Sequence, residues 1–130
     1  MLLTTYEINK GDKCVVLAIK PIQQLSTISM SLRLDKYDIE SIKKIVHDEF
    51  TIDNLVSHFI YTVAREYMRK ITKHLVECTH FIADENLCGA IVQYCKQLDN
   101  DEIQIMNKET YENMYNDTVK AIKEIFGEDL

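Results

Sequence analysis

Four side chains at helical spacing offer the chain's best metal chemistry. His74 and Cys78 stand four apart and Cys88 and Cys95 seven apart, so each pair falls on one face of a helix. If two such helices pair antiparallel, the four converge as a Cys3His set suited to zinc, with His80 as a spare ligand. No Cys-x-x-Cys knuckle accompanies them. The same positions also lie on apolar stripes, where cysteine is an ordinary small buried residue. Glu77-Cys78-Thr79-His80 matches the Glu-x-x-His step of a di-iron bundle, but one copy is present where that site needs two. A Cys78–His74 nucleophile pair needs an electropositive, accessible setting that an apolar face does not supply. None of His47, His58, His74 and His80 is placed as a general base. No Gly-x-Ser-x-Gly, P-loop, Gly-x-Gly-x-x-Gly or His-Glu-x-x-His motif occurs, and with 3 Gly in 130 residues no glycine-rich backbone can wrap a phosphate. No catalytic residue is assigned, and neither an enzymatic activity nor a cofactor is expected.

Recognition of another molecule is the chemistry that the charge pattern favours. The chain carries 21 Asp+Glu against 15 Lys+Arg, a formal charge of −6. The first 83 residues are nearly balanced, with eleven basic and ten acidic side chains, whereas residues 84–130 hold four Lys against eleven carboxylates. Such a surface keeps a protein in solution, and it also complements a basic partner, setting association rate and specificity. Glu109, Glu112 and Asp117, with the i, i+4 pair Tyr111 and Tyr115, form the expected partner site; the two tyrosines equally fit the core of an amphipathic helix.

Arg65, Arg69 and Lys73 show the opposite bias. They share one helical face, with His58 and Thr62 in the turns before them. The stripe is either solvated or holds an anionic small molecule such as a nucleotide. These cations are too few to coat nucleic acid, so direct binding to it is not expected. The basic face of one copy could also meet the acidic helix of another, and a homo-oligomer is expected.

Periodicity places these residues on elements. Residues 3–8 and 14–19 read as strands around an Asn9-Lys10-Gly11-Asp12 turn, with Gly11 free to take positive φ. Pro21 should lie just past the second strand. Ile28, Met30, Leu32 and Leu34 alternate as a third strand with one buried side. Asp38 can cap a helix with the stripe Ile39, Ile42, Val46 and Phe50. Thr51 can cap a second, free of Gly and Pro over residues 52–82 and about 45 Å long at 1.5 Å per residue. Its stripe is Ile52, Val56, Phe59, Ile60, Val63, Tyr67, Ile71, Leu75 and Cys78. Asp84 can cap a third helix with Leu87, Ile91, Cys95 and Leu98 inward. Residues 102–106 alternate as a short added strand. Asn107 can cap a last helix with the stripe Tyr111, Met114, Tyr115, Thr118, Ile122 and Ile125, closed by Gly127. The expected fold is one α+β domain over residues 1–130: a small antiparallel sheet within 1–35, then four helices, the second long.

No basic start followed by an apolar run marks a secretory signal, and no apolar run reaches the roughly 18 residues of a membrane span. A cytoplasmic protein with reduced thiols is expected. The richness in Ile, Lys, Asn, Asp and Tyr is that of AT-rich coding sequence, as in low-GC bacteria, their mobile elements and viruses. The leading expectation is a small non-enzymatic accessory or inhibitory protein, of viral or mobile-element type, that binds a basic site on another protein.

Overall fold

The computed structural model describes residues 4–21, 28–79 and 106–127. Three strands, β1 (Thr4–Gly11), β2 (Cys14–Pro21) and β3 (Met30–Asp35), form an antiparallel meander in the order β1-β2-β3. Three α-helices follow: α1 (Lys36–Val46), α2 (Ile52–Thr79) and α3 (Lys108–Phe126), with a short 3₁₀ turn at His47–Glu49. The chain is α+β, as its periodicity implies. Of the four helices expected, three lie among the described residues. The helix expected after Asp84 and most of the added strand at 102–106 fall outside them, though Met106 is described and buried.

The sheet turns one side toward the helices. The register stacks Tyr6 beside Ile19 and Met30, and Ile8 beside Leu17 and Leu32. Val15, Leu17 and Ile19 of the central strand are fully buried. Alternation sends Glu7 and Lys20 to the other side, where they pair. The hairpin closes with Gly11 opposite Cys14, leaving Asp12 and Lys13 as its loop. The positive φ of this loop belongs to Lys13 (59°) and not, as the sequence suggests, to Gly11. Gly11 is the last strand residue, where the ladder imposes extended backbone, so the left-handed conformation passes to the loop residue despite a cost of about 1 kcal/mol for a side-chain-bearing residue.

α1 starts earlier than the sequence suggests, because Asp35 is its N-cap and Asp38 its third residue. The Asp38 N–H donates to the Asp35 carboxylate at 2.9 Å, and the Asp35 N–H donates to the Asp38 carboxylate at 3.0 Å. This reciprocal capping box satisfies two donors that a start at Asp38 would leave open. The donated N–H of Asp38 holds the Asp35 carboxyl below its ordinary range. Its contribution is complete above the usual carboxylate pKa and is lost as pH falls through the lowered value.

α2 spans 28 residues, about 42 Å, and is capped by Thr51, whose hydroxyl accepts from the Asn54 N–H at 3.1 Å. It lies against β2, β3 and α3, while α3 lies against β1, β2 and α2. Being covered from two directions, α2 buries more than its sequence stripe: Leu55, Ala64 and Met68 join Val56, Phe59, Ile60, Val63 and Tyr67. α3 is capped by the Asn107 side chain, which accepts from the Thr110 N–H at 2.8 Å. It buries Met114, Thr118, Ala121 and Ile122. The Thr118 hydroxyl donates to the Met114 carbonyl at 2.7 Å, which satisfies this buried polar side chain. Gly127, at φ 87°, ends the helix and donates its N–H to the Lys123 carbonyl. Among the described residues, no helix is long and apolar enough to cross a membrane.

Candidate functional site

The buried stripe of α3 fixes which of its residues face outward. Glu109, Glu112, Asn113, Asn116 and Asp117 are exposed along its first half, followed by Lys120, Lys123 and Glu124. The first half is therefore acidic and the second mixed. Carboxylates at the start and ammonium groups at the end also suit the helix dipole. Tyr111 and Tyr115 are half-buried and pack against the core, so they support the acidic face from beneath more than they project from it. Of the eleven carboxylates in residues 84–130, those on α3 are Glu109, Glu112, Asp117 and Glu124. The other seven lie outside the described residues.

Two of the four are engaged across the fold. The Tyr6 hydroxyl, from β1, donates to Asp117 Oδ2 at 2.6 Å. Lys10, also on β1, pairs with Glu124 and through that hydrogen bond holds its carboxyl below the ordinary range. Glu112 lies 3.9 Å from Lys108, an exposed pair of little energetic weight. Glu109 and Glu112 thus carry the outward charge, with Asp117 steadied at its edge.

Burial, and then the hydrogen bond and charge of Asp117, push the Tyr6 phenol up to about 12. A raised pKa stabilises the fold fully below the unfolded value near 10, and the contribution disappears as pH rises through about 12. Tyr6→Phe should therefore cost about 1 kcal/mol at neutral pH. It should also flatten the alkaline limb of stability, as read by denaturation at a series of pH values. An unchanged alkaline limb would show that the Tyr6–Asp117 bond does not form.

The second stripe is also outward. Arg65, Arg69 and Lys73 are exposed on one face of α2. Arg65 donates to the Tyr61 hydroxyl at 3.1 Å, and its guanidinium lies 5.8 Å from the Tyr61 ring centre, which holds the cation in place. Arg69 pairs with Glu66 at 2.9 Å. His58, one turn before Thr62, is exposed, and its carbonyl accepts from the Thr62 hydroxyl at 2.8 Å.

The backbone of α2 carries His74 and Cys78. His80, Cys88 and Cys95 lie outside the described residues. Among the described residues, no group of three or more His, Cys, Asp and Glu is gathered to hold a metal ion.

Sequence reasoning missed a groove between α1 and the start of α2. Ile42, Val46, Phe50 and Leu55 line it, with Glu49 and His58 beside them, and its volume is about 350 Å³. The Lys43 ammonium lies 5.1 Å from the centre of the Phe50 ring. A smaller hollow of about 180 Å³ shares Ile42, Leu55 and His58 and runs toward Leu32 and Phe59. Ile45, which also lines the groove, and Tyr37, two turns earlier on α1, are each 77% exposed. The signal was present in Ile45, an apolar residue off the Ile39-Ile42-Val46-Phe50 stripe.

Comparison of the chain with family models, with curated proteins and with solved structures returns no match.

Proposed function

We propose that this chain is a non-enzymatic interaction protein, a small accessory or inhibitory factor, that binds a basic site on another protein through the first half of α3. The observation that carries the reading is the bond from Tyr6 to Asp117. It holds one carboxylate in place on a helix whose opposite side is locked in the core, while Glu112 and Glu109 stand exposed about one and two turns away. The three span about 12 Å of helix at 1.5 Å per residue. Charges mounted on a rigid element lose little freedom on binding, so more of their attraction is realised as affinity.

The test is capture from a native host lysate with mass spectrometry, comparing wild type with Glu109→Lys/Glu112→Lys. Both positions are exposed and outside the cross-fold pairs, so the fold should persist, with the melting temperature lowered by only a few degrees through the helix dipole and the lost Lys108 pair. The principal partner should lose about tenfold or more of its enrichment. An identical captured set would defeat the proposal.

A second reading, an anionic small molecule held by Arg65, Arg69 and Lys73, is favoured by the seating of Arg65 on Tyr61. Arg69→Glu separates the two. It removes anion binding in the second reading and leaves protein capture intact in the first.

A further inference from the structure

We infer that the exposed side of α1 is a self-complementary docking surface, on which a second copy of this chain lays its own α1 antiparallel. Tyr37 and Ile45 are the most exposed large apolar side chains among the described residues. They stand on one row of α1 at i and i+8, with the small, exposed Ser41 midway. A two-fold axis through Ser41 needs no other coincidence. Tyr37 and Ile45 each lie about 6 Å along the helix from it, in opposite directions, so Tyr37 of each copy falls level with Ile45 of the other. The small residue at the crossing lets the two helices approach closely.

The groove explains why the partner's tyrosine is the side chain that docks. The row next to Tyr37-Ser41-Ile45, on the side toward the core, is Ile42 and Val46, which line the groove together with Phe50. Antiparallel pairing brings the incoming phenol to the mouth of that groove, whose roughly 350 Å³ admits one aromatic ring. Its hydroxyl end then lies on the side of Glu49 and His58, where a phenol can find a hydrogen-bond partner.

Charge selects the same orientation. On the outer flank, Glu40 and Lys44 are exposed. Two-fold antiparallel pairing places Lys44 of one copy about 3 Å along the axis from Glu40 of the other, and the pair occurs twice. Parallel two-fold pairing would put the two Glu40-Lys44 flanks on opposite sides of the seam and form neither pair. The two reciprocal ion pairs separate a second copy from an unspecified apolar occupant.

The test uses the full chain in sedimentation velocity across a concentration series. Wild type should form a species of twice the 15.2 kDa chain mass. Tyr37→Glu and Ile45→Glu should each weaken it by at least about tenfold with unchanged circular dichroism, since both sites are exposed. Glu40→Lys should weaken it, and Glu40→Lys/Lys44→Glu should restore it. Ser41→Cys, oxidised beside a wild-type control, should give a disulfide-linked dimer through the position on the axis. A wild type that stays monomeric at all concentrations overturns the proposal. A dimer indifferent to Tyr37→Glu and Ile45→Glu also overturns it, by placing the interface elsewhere. A monomer that binds a small apolar dye in a Tyr37- and Ile45-dependent way overturns it too, and assigns the face to a different partner.

Discussion

Leu17→Ala should lower the unfolding free energy by about 3.5 kcal/mol, near the middle of the range for emptying a buried leucine site. Leu17 has no exposed surface and sits on the central strand, between Ile8 and Leu32. Hydrogen-bonded ladders hold β2 on both sides, and helices cover it from below, so the walls cannot close over the lost volume. In a domain of this size the change should lower the melting temperature by about 10 °C. Val16→Ala, one residue away on the other side of the sheet and only half-buried, should cost about 1 kcal/mol or less. Chemical denaturation of both variants measures the contrast. Equal losses would mean that the sheet is not covered on one side alone.

Val63→Asp should abolish cooperative folding at neutral pH. Val63 is fully buried in the middle of α2, where the sheet and α3 both press on the helix. A carboxylate introduced there has to be desolvated or protonated, and the cost, about 4 kcal/mol or more, approaches the whole stability of a small domain. Arg65→Asp, two residues on and exposed, reverses a charge on the same helix and should change stability by only about 0.5 kcal/mol. Circular dichroism and a melting curve distinguish them at once. A folded Val63→Asp variant would contradict the placement of α2 beneath the sheet.

The two proposed surfaces lie on different elements. α1 borders β3, whereas α3 lies under β1 and β2. Substitutions on α1 should therefore change self-association without removing the acidic face, and substitutions at Glu109 and Glu112 should leave self-association alone. A dimer built through α1 would present two acidic faces, so its capture of a repeated or symmetric partner would gain from simultaneous engagement.

Much of what a short reach of chain sets was legible beforehand, though not the Asp35 cap of α1, the positive φ at Lys13 or the place of Pro21, which is the last residue of β2 rather than just past it. The alternation of β3, the hairpin, the caps at Thr51 and Asn107 and the inward stripes of α3 and of α2 as far as Tyr67 each depend on residues within a turn or two. The periods of 2 and 3.6 report them directly. What faces an exposed carboxylate is a different kind of fact. Asp117 meets Tyr6 across 111 positions, and Glu124 meets Lys10 across 114. These pairs engage two of the four carboxylates on α3 with β1 and leave Glu109 and Glu112 as the outward charge of that helix. The extra burial of Leu55, Ala64 and Met68, and the groove beside Ile45, likewise arose only when separate elements were laid together. A hydrophobic period says which side of an element avoids water. It carries no information about which distant neighbour supplies the cover, because that depends on the path of the whole chain through space.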